Sequence, residues 1–444
     1  MSAVPDDPLA DLPDPLPVTP LGGPVDAIVR PPGSKSITNR ALVVAALAEG
    51  PSTLRNVLFA DDTEAMLACL SALGVALDVD RAGATVAVHG TGGRLVDGPL
   101  ALDARLSGTT ARFLLPLLAL GAGPYRLDGG GPLRDRPMVD GVLAVEALGA
   151  EVHPEAETAV AGGLPLTVAG GPVAGGRVAV AGTASSQFLS GLVLAGAGMA
   201  EGLEVTITGG LVSRPYVDMT LAVLAHFGAE AAWSGSDTVV VRRADLAATD
   251  LTIEPDASAA SYFLAAPALV GGRVRVEGLG PGSWQGDVAF VDLLERMGAA
   301  VGRAEGALEV VVDGPLHGIR ADLGDISDTA QTLAMVAVAA EGPTEVRGIG
   351  FIRRKETDRV AAVAHELARC GIDARETDDG WVIAPGTPRP ATIATYHDHR
   401  MAMSFALLGL RWPGVRIADP RCVAKTYPGY WRDLAALGTA GADR

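Results

Sequence analysis

An apolar helical segment recurs through this chain at a nearly fixed interval, and no other feature narrows its fold so far. ITNRALVVAALAEG, TTARFLLPLLALG, SQFLSGLVLAG, SAASYFLAAPALVGG, DTAQTLAMVAVAAEG and RMAMSFALLGL begin at 37, 109, 186, 258, 328 and 400, spaced 72, 77, 72, 70 and 72 residues apart. A second helical series, each member ending in glycine before a short strand, keeps step around Gly74, Gly149, Gly228, Gly298 and Gly371, at intervals of 75, 79, 70 and 73. Two series in phase define a repeated unit with two helices. Between them lie β-rich pieces such as ATVAVHG, LEVTITGG, TVVVRR and GRVRVEG, which read as short strands and turns, about four to a unit. The first helix of each unit is almost wholly apolar, which predicts burial on every side. Glycine capping alone places such segments anywhere in an α/β protein, but not at near-constant spacing. The expected fold is α/β (α+β): three units around buried helices make a domain, and 444 residues hold two domains. A boundary is expected near 250, after VVVRRADLAATD, and the strand DAIVR at 26–30 is expected to complete the last unit.

Composition limits the partners. Only 4% of the chain is aromatic, so alanine, valine and leucine must fill the core. A net charge of −17 argues against nucleic acid or an acidic membrane, because polyanion affinity comes from clustered cations. A small anion remains possible where cations converge locally. Cys69, Cys370 and Cys422 have no metal-ligand spacing and read as structural thiols in a reducing cytoplasm. Residues 1–25 are proline-rich without Lys or Arg, which reads as a disordered tail and not a signal peptide. No apolar run reaches the roughly 18 residues of a membrane helix.

The chain supplies positive charge as arginine almost everywhere, with Lys35, Lys355 and Lys425 as its lysines. An ammonium is a compact, rotatable charge whose pKa shifts on burial; a guanidinium is a fixed fork that stays protonated. Lysine at these places therefore suggests phosphate contact or proton transfer. Lys35 stands in PPGSKSITNR, where Gly33 allows close backbone approach, Ser34 and Ser36 can cap, and a helix follows whose N-terminus favours an anion. Ser36 and Arg40, four apart, are placed to grip one ligand. Ser34 and Val29 stand where a Walker A loop needs glycine.

Other helix starts repeat the theme: Ser107-Gly108-Thr109, Arg136-Pro137, Ser185-Ser186-Gln187, Ser213-Arg214-Pro215-Tyr216 and Asp328. For any one serine or threonine, ordinary capping is the simpler reading. The cations beside them are harder to dismiss in an acidic chain. In RRKETDR, the spacing puts Lys355 and Arg359 on one helical face, with Glu356 adjacent. In YHDHRMAM, His397, Asp398, His399 and Arg400 precede an apolar helix; no third metal ligand is near, so a cap or anion site is the better reading. Lys425 follows Cys422 in DPRCVAKTYP.

Taken together, GSKSITNRAL, SGTTAR, RDRP, ASSQF, LVSRPY, DASAASYFLAA, RRKETDR, YHDHRMAM and DPRCVAKTYP resemble the 5-enolpyruvylshikimate-3-phosphate synthase family of enolpyruvyl transferases, in collinear order from about residue 26 to 434. The resemblance implies two domains of three βαβαββ units each: 34–253 inserted, 26–33 with 254–444 as the other, and hinges near 31–35 and 250–256. It implies transfer of the enolpyruvyl group of phosphoenolpyruvate to the 5-hydroxyl of shikimate 3-phosphate with release of phosphate, without metal or organic cofactor. By matching motifs, Lys35, Ser36, Arg40, Ser185, Ser186, Gln187, Ser213, Tyr216, Asp328 and Lys355 would hold shikimate 3-phosphate. Lys35, Gly108, Arg136, Gln187, Arg359, Asp398, His399, Arg400 and Lys425 would hold phosphoenolpyruvate. Asp328 is the expected base at the hydroxyl, with Glu356 and Lys35 as proton carriers and Lys425 stabilising charge. The resemblance also implies a cytoplasmic monomer, and Gly108 implies that glyphosate competes with phosphoenolpyruvate.

Leu106, Phe351 and His397 depart from the family, which often has asparagine there. Three rivals remain: a UDP-N-acetylglucosamine enolpyruvyl transferase, a relative of RNA 3′-phosphate cyclases, and a non-catalytic anion-binding scaffold. The first family carries a reactive cysteine where this chain reads GGGPLRDRP; the net charge argues against the second.

Overall fold

Each apolar segment of the repeat folds as a helix, and its burial follows from its composition. In Lys35–Leu47 every residue from Ile37 onward is buried, and Gly108–Leu118 is buried throughout. The helices Ser186–Gly196, Ala257–Val270, Ala330–Ala339 and His399–Arg411 behave alike. A helix without a solvent face has to be enclosed by other elements. The computed structural model describes residues 8–155, 162–169 and 171–438, and the chain divides into one unit from Pro32 to Glu254 and another formed by the residues up to Pro31 with those from Pro255 onward.

Within Pro32–Glu254, the helices Lys35–Leu47, Gly108–Leu118 and Ser186–Gly196 pack on one another; within the other unit, Ala257–Val270, Ala330–Ala339 and His399–Arg411 do the same. Small four-stranded sheets enclose the first set. One shows the pattern: Leu100–Asp103 runs parallel to Tyr125–Asp128, which pairs antiparallel with Leu166–Ala169, and that strand with Glu151–Pro154. The parallel pair brackets the buried helix, as a βαβ crossover requires. Gly176–Ala181 with Leu203–Thr208, Arg320–Asp322 with Thr344–Arg347, and Ala391–Ile393 with Val415–Ile417 repeat it.

The remaining repeats borrow their first strand from a distant part of the chain. Leu251–Thr252 pairs parallel with Glu49–Arg55, and Val25–Val29 pairs parallel with Gly272–Glu277 in the register Val25 to Gly272. The strand near 26–30 thus completes the repeat of Ala257–Val270, which corrects the expectation that it completes the last one. The last repeat has its own parallel partner in Ala391–Ile393, and its other edge is taken by Leu16–Pro17, antiparallel to Val415–Ile417.

That edge also corrects the expected disordered tail. Leu9 is buried in the core, the Leu21 N–H donates to the Leu410 carbonyl at 2.8 Å, and Arg421 Nη1 donates to the Leu9 carbonyl at 2.7 Å. Proline favours extended chain, and extended chain needs only a few apolar anchors and backbone bonds to lie ordered along a sheet edge. Residues 1–7, also assigned to that tail, lie outside the described residues. Among the described residues no helix is long and apolar enough to cross a membrane. The cysteines are free; burial pushes the Cys69 thiol up to about 12 and the Cys370 thiol up to about 11.

Candidate active site

In the Pro32–Glu254 unit the candidate side chains gather at the N-terminal ends of the buried helices. Gly33 is required: a Cβ there would lie 1.8 Å from the Asn56 carbonyl oxygen. Ser34 caps the helix, accepting from the Ile37 N–H at 3.4 Å, which leaves Lys35 in its first turn. Lys35 Nζ lies 3.2 Å from Asp62 Oδ2, with the side chains 13% and 3% exposed. The ammonium is thereby held at the helix N-terminus, where an anion is also favoured.

Arg40 is more deeply committed than its spacing from Ser36 suggested. Its Nε donates to Thr220 Oγ1 at 2.8 Å, Nη1 to the Ser36 carbonyl at 2.9 Å, and Nη2 to Ser190 Oγ at 3.1 Å and to the Tyr216 carbonyl at 2.9 Å. Burial lowers its guanidinium to about 10, against the effect of Tyr216. Arg40 therefore ties the starts of two helices together, and Ser36 and Tyr216 meet it through their backbones. Ser213, just before Tyr216, is buried at φ +55°, a left-handed conformation that costs a non-glycine residue of order 1 kcal/mol or more.

A second group centres on Arg112, which the sequence reading missed although it closes SGTTAR. Its Nη1 donates to Gln187 Oε1 at 2.7 Å and its Nη2 to the Pro137 carbonyl at 3.1 Å, while Gln187 Nε2 donates to Thr109 Oγ1 at 2.9 Å. Gln187 is thus fixed amide-end and carbonyl-end. Ser185 caps its helix by accepting from the Gln187 N–H at 3.2 Å, and Ser186 is buried in the first turn. Gly108 opens its helix where a Cβ would fall 2.8 Å from the Arg136 guanidinium carbon. Glycine here leaves room for arginine there. Pro137 precedes its helix, which starts at Val139, and does not occupy its first turn.

The other unit holds a carboxylate and cation network. Asp328, in the short 3-10 turn Ser327–Thr329, accepts from Arg359 Nη1 at 3.2 Å through Oδ1 and from Arg400 Nη2 at 2.7 Å through Oδ2. Lys355 Nζ lies 4.0 Å from Oδ1. Arg359, only 1% exposed, also donates through Nε to Asp398 Oδ2 at 2.7 Å and through Nη2 to Glu356 Oε2 at 2.8 Å. Burial alone would lower its pKa, but Asp398, Glu356 and Asp328 together hold it above the usual arginine range. Lys425 Nζ lies 4.0 Å from Glu356 Oε1. Arg400 Nη1 reaches the Tyr262 hydroxyl at 3.3 Å; Tyr262 is pushed up to about 12 by burial, against the pull of Arg400.

Lys355 and Arg359 do not share a helical face. Asp358 caps the helix Arg359–Arg369 by accepting from the Ala361 N–H at 2.9 Å, so the helix begins after it, and Lys355 ends the 3-10 stretch Gly350–Arg354. The two cations meet at Asp328 across a turn. Asp398 caps the helix His399–Arg411, accepting from the Arg400 N–H at 2.9 Å, and is fully buried. His399, 1% exposed, has Nδ1 3.5 Å from Asp398 Oδ1. Asp398 thereby joins the Arg359 guanidinium to the start of the helix that carries Arg400. Among the described residues no cluster could hold a metal ion.

Asp62, Arg112 and Tyr262 were not expected from sequence, and Thr109 was expected only as part of a helix start. Asp62 lies in a helix start that reads as an ordinary acidic first turn, and only folding shows its contact with Lys35. Of the departures, Phe351 places its ring 5.8 Å from Lys355 Nζ, His397 pairs at the surface with Asp419 Oδ2 at 2.8 Å, and Leu106 is exposed.

The family model of EPSP synthase (3-phosphoshikimate 1-carboxyvinyltransferase) matches residues 20–434. The 3-phosphoshikimate 1-carboxyvinyltransferase of Nostoc punctiforme is 44% identical over 419 residues, covering 94% of this chain and 98% of that protein. The enzyme of the same name from Serratia proteamaculans is 42% identical over 417 residues, covering 93% and 96%. Among solved structures, an EPSP synthase from Acinetobacter baumannii superposes with a TM-score of 0.79 at 26% identity, covering 95% of this chain and 98% of that one. The enolpyruvyl transferase NikO from Streptomyces tendae gives 0.76 at 22% identity, covering 96% and 98%, a likeness of fold.

Proposed function

Because the chain belongs to the EPSP synthase (3-phosphoshikimate 1-carboxyvinyltransferase) family, whose model spans residues 20–434, we propose that the two clusters carry its reaction and divide its labour. The enzyme transfers the enolpyruvyl group of phosphoenolpyruvate to the 5-hydroxyl of shikimate 3-phosphate and releases phosphate.

Lys35, Ser36, Ser185, Ser186, Gln187, Ser213, Tyr216 and Lys355 bind shikimate 3-phosphate, and Arg40 orders the helix starts that present several of them. Lys35, Gly108, Arg136, Gln187, Arg359, Arg400 and Lys425 bind phosphoenolpyruvate. Asp398 and His399 act by orienting Arg359 and Arg400. The observation that carries the chemistry is Asp328, held by Arg359 at 3.2 Å and Arg400 at 2.7 Å with its carboxylate still partly exposed. In the addition step the 5-hydroxyl oxygen bonds to C2 of phosphoenolpyruvate, its proton passes to Asp328, and the C3 methylene takes a proton from Glu356 or Lys35. In the elimination step the new methyl group returns a proton to the group that supplied it, the C2–O bond to phosphate breaks with its electron pair going to the phosphate oxygen, and the proton held by Asp328 leaves with the phosphate. Lys425, close to Glu356, stabilises the charge that develops.

Steady-state phosphate release tests the whole reading. Release from phosphoenolpyruvate with shikimate 3-phosphate, and none with UDP-N-acetylglucosamine, is the expected result; the reverse would overturn it. Glyphosate should inhibit competitively against phosphoenolpyruvate, and inhibition of another type would count against the role of Gly108. The enzyme is proposed to act as a cytoplasmic monomer, which sedimentation and fractionation check.

A further inference from the structure

The turn Gly286–Ala289 holds a carboxyl that this mechanism does not use. Asp287 is 4% exposed, and its Oδ2 accepts a hydrogen bond from Ser258 Oγ in the first turn of the helix Ala257–Val270. Gln285 pins the same turn: its Oε1 accepts from the Ala257 N–H at 3.0 Å, and its Nε2 donates to the Pro255 carbonyl at 2.7 Å. Ser261 extends the polar line, donating to the Ser258 carbonyl at 2.6 Å and meeting Thr332 Oγ1 at 3.0 Å. Thr332 belongs to the helix Ala330–Ala339, which starts where the Asp328 turn ends. Hydrogen-bonded groups thus run from Asp287 to the helix that follows the Asp328 turn, through a core otherwise made largely of alanine, leucine and phenylalanine.

A neutral amide at 287 would serve the Ser258 bond equally well, and a buried carboxyl is expensive to ionise. What an acid adds is charge. The charged and titratable groups facing it are Asp328, Arg400 and Asp256, with Ser258 as its hydrogen-bond donor. The helix Phe290–Met297, also packed on this turn, keeps Asp292 and Glu295 at the surface on Arg303, and Arg296 on the Arg320 carbonyl. Burial first, and Asp328 second, push the Asp287 carboxyl up to about 7, against Ser258 and Arg400.

We propose that Asp287 is a positioning residue of the transfer: its carboxyl places a buried negative charge in the surroundings of Asp328, offsetting Arg400, and so sets the pH range over which Asp328 takes up the hydroxyl proton. The proposal rests on Asp328 being the base. It makes the two acids titrate as a pair, not singly.

The test is the pH dependence of kcat, at saturating shikimate 3-phosphate and phosphoenolpyruvate, for the wild type, Asp287→Asn, Ser258→Ala and Asp328→Asn. Asp287→Asn should lower the plateau about tenfold and move the acidic limb down by about one pH unit, with both KM values little changed. Ser258→Ala removes a bond that favours the ionised Asp287 and should move the limb up. Opposite shifts from adjacent substitutions are not produced by a merely structural role. Stability supplies an independent reading. A carboxyl raised in the fold contributes stability that is complete below its unfolded value near 4 and lost as pH rises toward about 7. The Tm of Asp287→Asn should therefore gain on the wild type between pH 5 and pH 8. Profiles of Asp287→Asn and wild type that superimpose would overturn the proposal, as would a limb that fails to move up in Ser258→Ala. Should Asp287→Asn not fold, the Ser258→Ala profile decides. Wild-type turnover in Asp328→Asn would instead overturn the assignment of the base.

Discussion

The cluster around Lys35 and the cluster around Asp328 both stand at helix starts, but they spend their positive charge differently. In the first, Arg40 and Arg112 donate to hydroxyls, backbone carbonyls and an amide, and Lys35 meets the carboxylate of Asp62. In the second, Arg359 and Arg400 donate to Asp328, Glu356 and Asp398. Neutral partners leave an arginine's charge in place, whereas carboxylates absorb it and are oriented in return. The first arrangement suits a phosphate; the second suits proton transfer, because its carboxylates are aimed and their charge balanced.

The sharpest way to break this contrast is Asp328→Ala. We expect kcat to fall by at least about a hundredfold while both substrates still bind by calorimetry; normal turnover would remove Asp328 from the chemistry. Arg359→Ala comes next, since it strands Asp398, Glu356 and Asp328 at once: removing one partner from a buried network costs roughly 3–5 kcal/mol, read by urea unfolding. An unchanged midpoint would show that the network is not a structural unit. In the other cluster the prediction is a split between rate and stability. Lys35→Arg should lower kcat about tenfold, because a guanidinium does not give up a proton, while leaving Tm within a few degrees. Gly108→Ala should raise KM for phosphoenolpyruvate several-fold, as the new methyl displaces Arg136, with little effect on the shikimate ligand. Smallest of all, Cys69 and Cys370 should resist thiol reagents at pH 8 in the native protein, because burial holds both thiols protonated.

Much of this was legible in the chain. The apolar segments announced the buried helices because a helix without a polar face has few ways to fold. Motif order singled out Lys35, Gln187, Asp328, Arg359 and Arg400, and all but Asp328 stand at helix starts marked by a capping side chain, Ser34, Ser185, Asp358 or Asp398. Arg112 and Asp62 were missed for one physical reason: a helix arginine and a first-turn aspartate are unremarkable until a residue far along the chain is placed against them. The shared face of Lys355 and Arg359 failed because Asp358 starts the helix later than the spacing implied. The proline-rich segment was misread because low helical propensity does not prevent an extended strand from binding a sheet edge.

The repeat, its buried helices and the kinds of group at their starts follow from local sequence, because hydrophobic period and capping act over a few residues and need no partner. Tertiary structure decided which cation meets which acid, which strand completes which repeat, and that Asp287 shares the surroundings of Asp328. Those outcomes depend on distance and burial, and both exist only once residues remote in the chain are packed together.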